Sequence, residues 1–269
     1  MTSLDSKSQR LKRSWGQHLL INRDILEFIA NNVSRESDNG VVIEFAAGSG
    51  NLTEYLLESC EKVIAIEMER DVLKSLKKRF AGNNHLELLE MNMMNFDFRK
   101  FFEIYGRVVI VGNLPYNLSK LFLFKVFENA VYIKSAFLMF QYEVAKRVVA
   151  NTGDRDWSTM SVFARMLSNP EIIKVVGRGS FFPPPRVDSA IIYFNFFDDI
   201  SRHKLYKECN RSIQEIFNYP RKSMRSILKA RFGEDILLSI QDILDITKRP
   251  QNLTILEIEK ICEIIRSKI

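Results

Sequence analysis

The chain has 269 residues, 46% of them hydrophobic and 27% charged, with a formal net charge of +6. This balance excludes a disordered chain, and the length allows one sizeable domain beside a smaller one without covalent staples. Three scattered cysteines, Cys60, Cys209 and Cys262, argue against a disulfide framework or a zinc cluster. There is neither a signal-peptide pattern nor an apolar run of membrane-spanning length. The expectation is therefore a cytoplasmic protein with no metal and no membrane contact.

Residues 1–15 are polar and basic, with Lys7, Arg10, Lys12 and Arg13, and read as an arm. Residues 22–33 predict a helix. An alternating series follows: strand 41–46, helix 51–60, strand 62–67, helix 71–80, strand 86–91, strand 107–112, helix 119–130 and strand 134–140. Short apolar strands alternating with amphipathic helices predict an α/β fold, with a Rossmann-like parallel sheet covered on both faces. Residues 142–150 and 158–167 read as helices. Strands are expected at 171–176 and 188–196, around the Pro-rich turn at 183–185. From about residue 200 the pattern becomes helical throughout. A boundary near 198–201 separates residues 1–200 from a small all-α domain, 201–269.

Residues 202–231 hold nine bases against two acids, a local charge of +7. Localised positive charge of this kind suits a polyanion through phosphate neutralisation, although a solvated helix face has the same composition.

The first strand of the series runs into Glu44-Phe45-Ala46-Ala47-Gly48-Ser49-Gly50-Asn51. A Gly-rich turn from strand to helix lets the backbone approach a ligand, at the carboxyl end of the strand where open α/β sheets bind ligands. Thr53 stands where a dinucleotide fingerprint needs its third glycine, which argues against a pyrophosphate cofactor. The next strand ends in Glu67, 19 residues past Gly48, a position suited to accepting from both hydroxyls of a ribose. Asn92, after the third strand, is placed to reach an adenine amine. Turn and acid together point to a nucleoside-bearing cofactor.

The fourth strand ends in Gly112-Asn113-Leu114-Pro115-Tyr116. An adenine N6 amine is a poor nucleophile because its lone pair is delocalised into the ring. Acceptors around the amine hydrogens favour a tetrahedral nitrogen. The Asn113 side-chain oxygen and the Leu114 carbonyl can supply two. Pro115 stiffens the turn and Tyr116 can stack on the base. With a sulfonium methyl donor, orientation and electrostatics suffice without a metal. Phe181 is placed to clamp an extruded base from the face opposite Tyr116.

These motifs together resemble the KsgA/RsmA family of ribosomal RNA adenine dimethyltransferases. Arg13-Ser14-Trp15-Gly16-Gln17-His18-Leu19-Leu20 is similar to the family's K-S-L-G-Q-N-F-L. Residues 44–53 are similar to E-I-G-P-G-x-G-x-L-T, and 113–119 to N-L-P-Y-N-I-S. Residues 141–147 are similar to Q-K-E-V-A-x-R. Residues 182–189, Phe182-Pro183-Pro184-Pro185-Arg186-Val187-Asp188-Ser189, resemble F-x-P-P-P-K-V-D-S. Residues 217–222 resemble a basic F-x-x-R-R-K stretch. The resemblance implies a seven-stranded class I methyltransferase sheet, S-adenosylmethionine as cofactor, and dimethylation of two adjacent adenosines of 16S rRNA in the small ribosomal subunit, with monomer the default state. It places His18, Leu20, Ala46, Gly48, Glu67, Asn92 and Asn113 at the cofactor. It places Asn113, Leu114, Pro115, Tyr116 and Phe181 at the target base. Arg221, Lys222, Arg225, Lys12 and Arg13 are the expected RNA contacts. Ala46 replaces the first glycine of the turn, His18 an asparagine, Asn92 an aspartate and Pro220 an arginine. Three alternatives stay open on the sequence: a large-subunit rRNA adenine methyltransferase of the macrolide-resistance type, a silent ribosome-assembly or RNA-binding factor, and a DNA or small-molecule enzyme.

Overall fold

The computed structural model describes residues 18–38 and 40–268. The expected N-terminal arm, with Lys12 and Arg13, lies outside them. In chain order the elements are β1 (Leu19–Leu20), α1 (Arg23–Ser37), β2 (Val41–Phe45), α2 (Asn51–Ser59), β3 (Lys62–Glu67), α3 (Arg70–Arg79), β4 (Leu86–Glu90), α4 (Phe98–Tyr105), β5 (Val108–Gly112) and α5 (Tyr116–Glu128). Then come β6 (Ile133–Gln141), α6 (Tyr142–Val149), α7 (Thr159–Leu167), β7 (Ser168–Val176), β8 (Phe181–Phe182), β9 (Ser189–Phe196), α8 (Ile200–Phe217), α9 (Met224–Phe232), α10 (Glu234–Gln241) and α11 (Ile255–Lys268).

Seven strands form one sheet in the order β4-β3-β2-β5-β6-β9-β7, and β1 pairs separately with β8. The five strands from β4 to β6 are parallel. Their apolar runs are buried because helices cover both faces. In β2 the side chains alternate. Val42 joins Val63, Ala65, Val109 and Val111 beneath Ile29 and Val33 of α1 and Leu52 and Leu56 of α2. Phe45 turns the other way, its ring 5.1 Å from Phe96, 5.8 Å from Phe98 and 4.6 Å from Phe122. Each of the Val, Ile, Leu and Phe side chains contributes about 1.5–3 kcal/mol by leaving water. Pro170 is tolerated in β7 because that strand lies at the sheet edge.

Two features were not expected from the sequence. Residues 98–105 form α4, capped by the Asp97 carboxylate, which accepts from the Arg99 and Lys100 amides. The short β1–β8 ladder joins segments far apart in the chain.

Packing divides the chain into two compact units, Met1–Tyr142 with Ile173–Tyr193, and Glu143–Ile172 with Phe194–Ile269. This differs from a single cut near residue 200. In the second unit α7 belongs with the C-terminal helices: Phe163 meets Tyr206 of α8 edge-on at 5.0 Å, and the Phe197 amide donates to the Leu167 carbonyl at 3.0 Å. No helix among the described residues is long and apolar enough to cross a membrane.

Candidate active site

Two adjoining clefts open in the first unit at the carboxyl ends of β2, β3 and β5, sharing Ala46 and Pro115 as common walls. His18, Leu20, Gly48 and Asn113 line the first, and Glu67 and Asn92 line the second. The structure thus gathers every residue expected at the cofactor along one continuous groove. Leu19 and Glu44 in the first cleft, and Met68, Met91 and Met93 in the second, were not singled out from the sequence. Methionines beside an acid suit a flat apolar ligand with a polar edge.

The turn after β2 is held by left-handed residues at Ala46 (φ 58°), Gly48 (φ 55°) and Gly50 (φ 80°). Gly50 is required twice over, since a Cβ there would also lie 2.7 Å from Leu76 of α3 and from Phe80 just after it. Ala46 adopts a conformation that favours glycine, so the family's glycine has a local physical reason that this chain forgoes.

Glu67 is 5% exposed, and its carboxylate is fixed by three backbone donors. Oε2 accepts from the Gly48 amide at 3.0 Å, and Oε1 from the Met68 and Glu69 amides at 2.8 and 2.9 Å. A carboxylate offers about four acceptor sites, so one remains for a ligand hydroxyl without exchange. The Asn92 oxygen accepts from the Met94 amide at 2.9 Å, capping the 3-10 turn Met93–Asn95. This cap competes with the expected acceptance from an adenine amine and leaves the Asn92 NH2 as the better-placed donor. Glu44 is 2% exposed and accepts from the Thr53 hydroxyl at 2.6 Å. Burial pushes its carboxyl up to about 8, with the Thr53 bond opposing and the Glu67 charge adding to the rise.

At the end of β5, Gly112 is closely packed: a Cβ there would lie 3.0 Å from both the Phe45 carbonyl and Leu114 Cδ2, so a neighbour would have to shift by a few tenths of an ångström. The Leu114 side chain is 2% exposed and anchors the turn in the core. The Asn113 Nδ2 donates to the His18 carbonyl at 2.9 Å. That bond assigns the amide, leaving Asn113 Oδ1 and the Leu114 carbonyl without partners among the described residues. Pro115, at φ −55° and ψ 129°, opens α5. The Tyr116 hydroxyl is 2.7 Å from Ser189 Oγ, and burial pushes its pKa up while the Ser189 bond opposes. The Tyr116 ring centroid lies 5.4 Å from that of His18, whose Nδ1 donates to the Pro183 carbonyl at 2.7 Å.

Phe181 departs from expectation. It is 2% exposed, packed in the hydrophobic core and paired with Leu20 across the β1–β8 ladder, whereas the expectation placed its ring against a base. Strand alternation turns Phe182 outward instead, and it is 51% exposed.

In the second unit, Arg221, Lys222 and Arg225 are exposed and have no acidic partner among the described residues. Three other bases in the run are paired: Arg231 with Glu215 at 2.7 Å, Lys229 with Glu234 at 2.9 Å, and Arg202 with Glu259 at 3.5 Å. The Lys222 ammonium sits 5.0 Å from the Tyr219 ring centre. No group of three or more metal-ligating side chains occurs among the described residues.

Strand order and ligand turn define a class I methyltransferase fold. Residues 8–268 match the family described as Ribosomal RNA adenine dimethylase, and the chain belongs to that family. Ribosomal RNA small subunit methyltransferase A of Pseudomonas aeruginosa is 33% identical over 250 residues, covering 91% of this chain and 90% of that protein. Its namesake from Coxiella burnetii is 30% identical over 267 residues, covering 96% and 99%. Among solved structures, a dimethyladenosine transferase from Plasmodium falciparum shares 27% identity at a TM-score of 0.78, over 91% of this chain and 96% of that one. The 23S rRNA methyltransferase ErmE, at 20% identity and a TM-score of 0.66, shares the fold.

Proposed function

We propose that this chain uses S-adenosylmethionine to dimethylate the N6 amines of two adjacent adenosines near the 3′ end of 16S rRNA, within the small ribosomal subunit, as a step of ribosome biogenesis. In this reading it works as a monomer in the cytoplasm. Catalysis resides in residues 1–200 and RNA contact in the helical segment 201–269 and the basic N-terminal residues. The observation that carries the reading is the pair of unpaired acceptors, Asn113 Oδ1 and the Leu114 carbonyl, on the wall of the ligand groove.

The groove fits the cofactor chemically. A backbone-fixed carboxylate, Glu67, stands beside the apolar methionines, and a glycine turn brings main chain to the adjoining cleft. Bound there, the cofactor supplies a sulfonium methyl, an electrophile that leaves a neutral thioether behind. Glu67 would hold the ribose, Asn92 the adenine edge, and the 46–49 turn the remainder. Asn113 Oδ1 and the Leu114 carbonyl would accept the two amine hydrogens and localise the lone pair on nitrogen, aimed at the methyl. Pro115 fixes the direction of the Leu114 carbonyl. Tyr116, tethered through Ser189, flanks the base. The methylated amine is cationic and loses its proton to water, so the site needs no strong base.

Labelled methyl transfer to small ribosomal subunits lacking the modification, followed by nucleoside analysis, tests this. The account predicts label in N6,N6-dimethyladenosine of the small-subunit rRNA. Label confined to large-subunit rRNA, or no transfer, contradicts it.

A further inference from the structure

We propose that Phe182 is a stacking platform for the RNA base next to the adenosine being methylated, an inference that rests on RNA adenosine being the substrate. The β1–β8 ladder sets its direction. Leu20 pairs with Phe181 and both are buried, whereas Leu19 pairs with Phe182. Residues directly opposite in an antiparallel pair project to the same face. Leu19 and Leu20 both border the first cleft, but it is the Leu19 side chain that leans on the ligand turn, its Cδ2 lying 3.2 Å from where a Cβ on Gly48 would stand. Phe182 therefore shares the face of the ribbon that leans on the Gly48 turn.

It does not line the cleft itself, and half of its surface is open. The next residue, Pro183, accepts the His18 Nδ1 hydrogen, and the His18 ring lies against Tyr116. The loop bearing Phe182 is thus fixed to the ring that flanks the target base. Paired with Leu19 and followed by Pro183, which holds His18, Phe182 is tied to two residues that line the cleft, so the base it would meet is one that remains outside when its neighbour is extruded. An aromatic face at that place accepts any base, because every base has a π face. The ring adds little to the core, so its loss leaves the fold intact.

The test compares Phe182→Ala, Phe182→Leu and Phe182→Trp with the wild-type chain on an rRNA substrate carrying 2-aminopurine beside the target adenosine. Phe182→Ala and Phe182→Leu should raise the RNA KM about ten-fold and abolish the stacking quench of the probe. S-adenosylmethionine affinity should stay unchanged, and Phe182→Trp should restore both RNA readouts. Phe182→Leu matching wild type in KM and quench overturns the platform while leaving the methylation reading untouched. Wild-type chain that methylates no adenosine in this RNA removes the substrate assignment, and the platform with it.

Discussion

The Asn113 side-chain amide donates to the main-chain carbonyl of His18 at 2.9 Å, joining residues 95 positions apart. This bond decides which atom of the amide is left without a partner on the groove wall. Asn113→Asp removes the donor and sets a carboxylate oxygen against the His18 carbonyl. The side chain must then turn, so kcat should fall at least about 100-fold, as when one preorganised polar group leaves an active site. Steady-state methyl transfer checks this, and activity close to wild type contradicts the orienting role.

Ala46 carries a left-handed backbone at φ 58° without being glycine. That conformation costs an L-residue roughly 1–2 kcal/mol, partly offset by the lower chain entropy of unfolded alanine. Ala46→Gly should therefore stabilise the fold by about 0.5–1 kcal/mol, whereas Ala46→Val should destabilise it by more than that. Urea denaturation midpoints measure both.

Glu44 gives the chain a pH dependence of definite sign. Its ordinary value is 4.5, and burial raises it to about 8 in the fold. Between these values the folded state holds a proton that the unfolded state has lost. The stabilisation is complete below about 4.5 and is lost as pH rises through about 8. His203 is lowered from 6.5 to about 4 by burial, so its contribution falls away in the opposite direction, as pH drops below 6.5. The window from 6.5 to 8 therefore reports Glu44 with least interference. The wild-type Tm should decline across it, and Glu44→Gln should flatten the decline. Parallel melting curves would contradict a protonated Glu44.

Much of the fold and site was legible in the sequence because strong local signals agreed. The runs Val41-Val42-Ile43 and Val108-Val109-Ile110-Val111 read as buried strands, and the structure places them in β2 and β5. The Gly48 turn, Glu67 and Asn113–Tyr116 also converge as their order along alternating strands implied. Features that depend on tertiary register were not legible. Phe181 and Phe182 are equivalent in sequence, and only pairing with Leu20 and Leu19 sends one inward and one outward. Asn92 as a cap on Met94 follows from the local turn rather than from its strand-end position. Helix α4 had visible signals, Asp97 before it and Gly106 after it, that its aromatic composition masked. The Glu44–Thr53 bond was hidden because strand parity shows that a side chain is buried but not what it meets.

The basic run from α8 through the following turn to α9 divides by partner. Arg221, Lys222 and Arg225 lack acids, whereas Arg231 and Lys229 are paired. Reversing Arg221, Lys222 and Arg225 to Glu should weaken RNA binding across sequences. The slope of log K against log salt should become shallower by about 0.7–0.9 for each phosphate no longer neutralised. Binding titrations at several salt concentrations measure this. An unchanged slope removes these residues from the RNA interface.

The central claim is that Asn113 Oδ1 acts on the amine of the target adenosine. Single-turnover methyl transfer to unmethylated small subunits, by wild-type chain and by Asn113→Ala, tests it most directly when S-adenosylmethionine affinity is measured alongside. The account predicts a loss of about 100- to 1,000-fold in the transfer rate with RNA affinity nearly unchanged. A rate within a few-fold of wild type would contradict it.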